Sequence, residues 1–256
     1  MKFHRAFNRI SNSYKDFKIG KMITFDTESK RYQYDGYEKQ VFYCGDFFDG
    51  TTHYYTENAN EILEIIRTLI QKYKYITIFA HNIAYDLKTS MLYKKIMKRY
   101  LGDILANIIK PIVFIKIENP YGIIQFIDSY NYFHTKLSTL AEMFNLQKVA
   151  DEEYKYDAEE WNKYLEQRAE ILVKTDTLIL YEVLSAFFKM PFNFGISIAQ
   201  TSFNTWKAKY LKKEIIYSHG FDNMIDDLYR GALVMNTIIF VMLILVDMEE
   251  IQYQLK

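Results

Sequence analysis

Met22-Ile23-Thr24-Phe25-Asp26-Thr27-Glu28-Ser29 reads as a buried strand that ends in two carboxylates one residue apart. Side chains on a strand alternate faces, so Asp26 and Glu28 project from the same side. Like charges that close repel, and a fold tolerates them mainly when a cation sits between them. The pattern also describes a solvated strand end whose acids mark the turn. On this stretch alone both readings stand.

The segments that follow set the stretch in an α/β order. Val41–Asp46 and Thr52–Tyr55 have strand character, with Gly50 supplying the turn between them. Ile62, Leu63, Ile66, Leu69, Ile70 and Tyr73 fall at helical spacing, and Ile76–Phe79 is a short buried strand. Three strands, a helix and a strand is the opening order of an RNase H-like α/β domain. Further on, Ile112–Ile117 and Ile123–Ile127 predict a hairpin turned through Asn119-Pro120-Tyr121-Gly122, its second strand running into Asp128-Ser129-Tyr130. Leu137, Leu140, Ala141 and Phe144 mark a short helix, and a long one is expected from about Trp161 to Phe188. A last helix is expected over 197–213.

Composition narrows the function classes. The chain of 256 residues is long enough for one large domain or two modest ones, and half of it is hydrophobic. Lys+Arg and Asp+Glu balance at 32 each, so no global field favours coating long duplex DNA. An enzyme that holds a short single-stranded end through metals and stacking is compatible with that balance. Cys44 is the only cysteine, which excludes an internal disulfide framework and a cysteine-based zinc site and fits a reducing, intracellular setting.

Two segments resemble targeting or membrane elements. Phe3, Phe7, Ile10 and Tyr14 with Lys2, Arg5, Arg9 and Lys15 have a profile shared by mitochondrial presequences and basic lead-in helices. It is read as a lead-in helix, and mitochondrial and viral or host-cytoplasmic settings are not separated. Ala232–Val246 is strongly apolar but shorter than the roughly 18 residues of a spanning helix, so no membrane partner is expected.

Two further motifs carry chemistry. In Phe79-Ala80-His81-Asn82-Ile83-Ala84-Tyr85-Asp86-Leu87 a strand ends near Ala80 and Asn82 is a plausible helix N-cap. Asn82 and Asp86 are four apart, which places them on one face of a helical start. A capped helix with one exposed Asp is the plainer alternative. His81 is read as a strand-end hydrogen-bonding residue. Asp176 lies within the long helix between Val173 and Leu178, either at the edge of the apolar stripe or turned inward as a further carboxylate. Lys94, Lys95, Lys98 and Arg99 form a basic cluster that reads equally as a solvated face.

Asp26-Thr27-Glu28, then Asn82-Ile83-Ala84-Tyr85-Asp86, then Asp176 in an apolar helix together resemble the DEDD exonuclease superfamily. The order is most similar to the proofreading domain of family B DNA polymerases of the organellar and viral, protein-primed type, and Asp128-Ser129 also resembles that type. The resemblance covers roughly residues 21–189, an RNase H-like mixed sheet flanked by helices. It makes residues 1–20 a basic lead-in and 190–256 the start of a truncated polymerase region. It implies hydrolysis of the terminal phosphodiester of a single-stranded DNA 3′ end, with two Mg²⁺ or Mn²⁺ ions about 3.5–4 Å apart. Asp26, Glu28, Asp86 and Asp176 would be the metal ligands and catalytic residues. Asn82, Tyr85 and Ser129 would contact the single strand.

The sequence departs from that family in two places. The family's third motif has a Tyr four residues before its Asp, where this chain has Leu172. An apolar side chain cannot orient the attacking water, so reduced turnover is expected, and Leu172→Tyr is expected to raise it. Tyr229-Arg230-Gly231-Ala232 resembles the tract that joins exonuclease and polymerase parts, with Ala232 in place of its second Gly. Neither the Asp-x-x-Ser-Leu-Tyr-Pro signature of a polymerase palm nor its aspartate pair occurs up to Lys256. The expectation is an N-terminal polymerase part that does not polymerise alone, with a separate polymerase subunit or a terminal protein as candidate partners. A non-catalytic, DNA-binding or polymerase-partner remnant is the rival reading.

Overall fold

The structure is a computed structural model that describes residues 7–10, 17–108, 113–149, 154, 157–210 and 215–218. The chain divides into two compact units, Lys18–Met190 and a second formed by Met1–Phe17 with Pro191–Lys256.

In the second unit, strand β1 (Phe7–Ile10) pairs antiparallel with a strand at Ile215–Ser218. This corrects the expected lead-in helix at these residues. Backbone pairing to a distant segment overrides the local helical spacing of Phe7 and Ile10. The residues around β1, the joining tract at 229–232 and the apolar stretch at 232–246 lie outside the described residues. No helix among the described residues is long and apolar enough to cross a membrane.

The larger unit begins with β2 (Lys21–Tyr34), β3 (Tyr37–Phe48), β4 (His53–Thr56), α1 (Glu61–Tyr73) and β5 (Tyr75–Ala80). It continues with α2 (Ile83–Thr89), α3 (Leu92–Met97), β6 (Asp103–Ile108), β7 (Phe114–Asn119) and β8 (Gly122–Asp128). Helices α4 (Leu137–Met143) and α5 (Ala158–Phe188) complete it. In the second unit follow α6 (Ile198–Tyr210) and β9, the Ile215–Ser218 strand.

Seven strands form one sheet in the order β4-β3-β2-β5-β8-β7-β6. β2 runs antiparallel to β3 and parallel to β5, and β5 runs parallel to β8. Three sequential strands, then a helix crossing to a parallel strand beside the first, is the RNase H-like arrangement expected from the sequence. Residues Ile76–Ala80 of β5 are all buried, as a central parallel strand covered on both faces requires.

The alternation of β2 decides which helix meets which face. Ile23 and Phe25 enter a core with Ile62, Ile66 and Leu69 of α1 and Ile83 and Leu87 of α2. The opposite face receives α5, where Leu172 and Val173 pack with Cys44, Trp161 and Leu165. Thr24, on that face, donates its hydroxyl to the Thr177 carbonyl of α5 at 2.7 Å. Helix α4 covers α5 in turn through Leu140, Ala141, Ile179 and Val183. Asp26 and Glu28 therefore lie on the central strand, on the face toward the helix that carries Asp176.

Candidate functional site

Asp86 reaches the edge of β2 because β5 stops early. The β2–β5 pairing ends at Thr24 and Phe79, so β2 beyond Thr24 is not paired with β5. The chain turns at His81 and Asn82 and enters α2, whose Asp86 fills that gap. Its Oδ1 accepts from the Thr27 amide at 3.1 Å and the Thr27 hydroxyl at 2.8 Å. Asp86 is thereby held beside the residue that separates Asp26 from Glu28. Burial, then the charge of Asp26, raises its carboxyl well above the usual carboxylate range, with Glu28 adding to the shift and Thr27 opposing it. The charges of Asp26 and Glu28 thus act on Asp86 from the end of β2.

Asp176 is placed differently. It is inward-facing and buried on α5, and Lys148 donates to both its oxygens, at 2.9 and 2.8 Å. Lys148 lies after α4 in irregular chain, where no periodicity marks it. Sequence reading did not identify it. Its ammonium stands at Asp176 where the family resemblance calls for a metal ion. Among the described residues, no three or more His, Cys, Asp or Glu side chains are arranged around one point to hold an ion. The donor chemistry, all carboxylate oxygen, suits Mg²⁺ or Mn²⁺. Asp26, Glu28 and Asp86 therefore match such an ion in donor type and not in arrangement, and both oxygens of Asp176 are taken by Lys148.

Asn82 is the N-cap residue of α2, as the sequence suggested, but its side chain makes no capping hydrogen bond. It adopts a left-handed conformation (φ 70°, ψ 50°), open to Asn at modest cost. The left-handed turn puts its exposed side chain outside the helix, so it does not share a helical face with buried Asp86. The Asp128 carboxylate holds the turn instead, accepting from the Asn82 amide at 3.0 Å and the Tyr130 amide at 2.9 Å. Burial raises the Asp128 carboxyl, opposed by those two amides and by His81.

Tyr85 is half-buried, and its hydroxyl lies 2.6 Å from that of Ser29, one residue past Glu28. Ser129 is fully buried, with its hydroxyl 3.1 Å from the Ala80 carbonyl and 3.0 Å from His81 Nδ1. In this conformation Ser129 offers no hydroxyl to a nucleic-acid strand. His81 donates Nε2–H to the Thr135 carbonyl at 2.8 Å, and burial lowers its pKa against the pull of that carbonyl, Asp128 and Asp176. It is the strand-end hydrogen-bonding residue that the sequence suggested.

Leu172 is fully buried against Cys44 and Trp161. The position of the missing motif Tyr is thus a packed part of the core beneath α5. Burial, followed by the charge of Glu28, raises the Cys44 thiol, which places Cys44 near the acid group.

Fold and site together define a class: an RNase H-like α/β domain with acids on its central strand, on the start of a neighbouring helix and on a long late helix. No protein-family model matches the chain, and no curated protein matches it. Solved structures of Phi29 DNA polymerase are similar. Its post-translocation binary complex with primer-template DNA shares 15% identity at a TM-score of 0.47, covering 72% of this chain and 34% of that one. Its complex with single-stranded DNA shares 15% identity at 0.48, covering 80% and 35%. The ternary complex with primer-template DNA and incoming nucleotide shares 14% at 0.48, covering 82% and 35%. The likeness is one of fold, and this chain spans about a third of the length of those polymerases.

Proposed function

We propose that the chain is a metal-dependent 3′–5′ exonuclease module of the proofreading type, belonging to a protein-primed family B DNA polymerase and acting on single-stranded DNA 3′ ends. The observation that supports this reading is buried Asp86 bonded to the amide and hydroxyl of Thr27, the residue between Asp26 and Glu28 on β2. A buried carboxylate near other acids costs stability, and a cation would offset that cost.

In this reading Asp26, Glu28 and Asp86 hold divalent ions, and Asp176 joins them when Lys148 moves to one oxygen or away. Bound Mg²⁺ or Mn²⁺ supplies charge stabilisation for the scissile phosphate and a more acidic bound water. Thr27 keeps one Asp86 oxygen oriented. Asn82, exposed at the turn, and the half-buried Tyr85 ring would meet the strand.

The rival reading, a non-catalytic remnant that binds DNA or a polymerase partner, draws on Lys148 at Asp176 and on Leu172. The test is shortening of a 5′-labelled single-stranded DNA with Mg²⁺ or Mn²⁺, against EDTA and the Asp26→Ala variant. Metal-dependent loss of 3′ nucleotides, absent from the variant, is expected. DNA binding without shortening would give the rival reading the lead.

A further inference from the structure

The β2–β3 hairpin extends past the body of the fold and presents an aromatic face that the functional reading so far does not use. Its tip is the two-residue turn Asp35-Gly36, with Gly36 at φ 84°, and Tyr34 pairs with Tyr37 across it. Helix α5 covers the base of the hairpin. Lys30 reaches Glu166 at 2.6 Å, and the Asn162 side chain bonds the Arg31 amide at 2.9 Å and carbonyl at 2.8 Å. Beyond that point residues 32–41 are all exposed.

Strand alternation sorts these side chains. Lys30, Tyr32 and Tyr34 follow Glu28 along one face of β2. The register sets Val41, Lys39 and Tyr37 opposite them, on the same face. Glu38 and Gln40 fall on the other face, and Asp35 is in the turn. The face thus holds three tyrosines, a valine and two lysines, and no acid. Lys30 is paired with Glu166, which leaves Lys39 for an outside anion. The Tyr34 and Tyr37 rings stack, 5.3 Å apart and 16° from parallel. A groove bordered by Tyr37, Lys39 and Glu38 of the hairpin, by Glu57, and by Tyr85 and Lys88 of α2 links this stretch to the candidate site.

A cross-strand tyrosine pair also stiffens a hairpin, but that role requires neither Tyr32 nor a face cleared of acids. A protein partner would be met by aliphatic side chains, and Val41 is the only one on this face. Flat rings with a lysine between them match bases joined by phosphates, and bases of any sequence stack on such rings. We propose that the hairpin is a stacking platform for single-stranded DNA, with Tyr32, Tyr34 and Tyr37 against bases and Lys39 on a phosphate. Tyr32 and Tyr34 lie about 13 and 20 Å beyond Glu28 along β2, at about 3.3 Å per residue, so the platform holds nucleotides away from the candidate acids. The choice of DNA rests on the exonuclease reading above, whereas the platform itself needs no metal.

The experiment is fluorescence anisotropy of a labelled single-stranded DNA on the full chain in EDTA, over a range of salt, with thermal melts of each protein. Tyr34→Val with Tyr37→Val keeps the strand preference and removes the rings, and the matching Phe pair keeps the rings. The Val pair is expected to bind about tenfold more weakly than the parent, and the Phe pair within about twofold of it. Lys39→Gln should flatten the slope of log affinity against log salt by about 0.7, the loss of one phosphate contact on a single strand. Should the Val pair fail to fold, Tyr32→Val, away from the turn, takes its place. Parent-like binding by the tyrosine variants and an unchanged salt slope in Lys39→Gln would overturn the platform. Self-association of the parent that these variants lose, with DNA binding intact, would give the face to a second copy instead. No DNA binding by the parent would overturn the platform and the DNA reading together. Tyrosine-dependent binding by a chain that does not shorten DNA with Mg²⁺ or Mn²⁺ would uphold the platform and sink the exonuclease reading alone.

Discussion

Lys148 and Asp176 form a two-pronged ion pair in which one ammonium reaches both carboxylate oxygens, with little of either side chain exposed. Removing one partner of a buried pair leaves an uncompensated charge, at a cost of about 3–5 kcal/mol. Lys148→Met is therefore expected to melt well below the parent in EDTA. Mn²⁺ should restore it by more than it stabilises the parent, because the ion replaces the lost ammonium. Thermal melts of both proteins with and without Mn²⁺ check this. An equal metal response in the two would mean that Asp176 does not meet the ion.

Asp86 gives the opposite sign. Its carboxyl is buried, and its ionised form is disfavoured first by desolvation and then by Asp26. Asn keeps an oxygen to accept from Thr27 and brings no charge, so Asp86→Asn is expected to raise the metal-free melting temperature. The variant should also gain less from Mn²⁺ than the parent does. A lower metal-free melting temperature would show that the Asp86 charge is compensated in the fold.

The larger elements were legible because their periodicities are strong. The α1 stripe Ile62, Ile66, Leu69 and Ile70 is buried as a set, and β5 is the continuous apolar run that a central parallel strand needs. The pairing of Asp26 with Glu28 followed from alternation alone. What stayed hidden depends on register and irregular chain. A bulge between Glu28 and Ser29 sets the offset that brings Asp46 opposite Asp26, and no sequence pattern marks that bulge. Lys148 precedes α5 by a connection of no periodicity, and only the tertiary fold carries it to Asp176. Strand β6 escaped because it lies at a sheet edge, with Ile104 and Ala106 only half-buried and Leu105 exposed.

Asp49 is a carboxylate whose ionised form is held by the fold. At the β3–β4 turn its Oδ1 accepts from the Thr51 amide and hydroxyl and the Thr52 amide. Its Oδ2 accepts from Tyr54, Tyr73 and Lys72, tying the turn to α1. Burial works against the charge, but these donors outweigh it and hold the carboxyl well below the usual range. A depressed folded pKa gives stability that is present above the unfolded value of about 3.9 and is lost as pH falls from there through the lower folded value. Urea unfolding should show stability dropping as pH falls below about 4. Asp49→Asn should lose about 1.5–3 kcal/mol at neutral pH and fall less steeply in acid. The same acid slope in both proteins would assign the loss to other carboxylates.

Leu172 tests whether the missing motif Tyr can simply be put back. It is fully buried among Cys44, Trp161, Leu165 and Val173, so a larger ring must displace well-packed neighbours. Overpacking of this kind costs about 1–3 kcal/mol, and a phenol hydroxyl there adds a desolvation penalty unless it finds a partner. The packing therefore argues against the gain in turnover that the motif comparison suggests for Leu172→Tyr. Leu172→Phe separates the two contributions, since it carries the ring without the hydroxyl. Both variants are expected to unfold at lower urea than the parent, with Tyr the less stable and no faster on single-stranded DNA. A Tyr variant more stable than Phe, and faster than the parent, would show that its hydroxyl passes Cys44 and reaches the acids of β2.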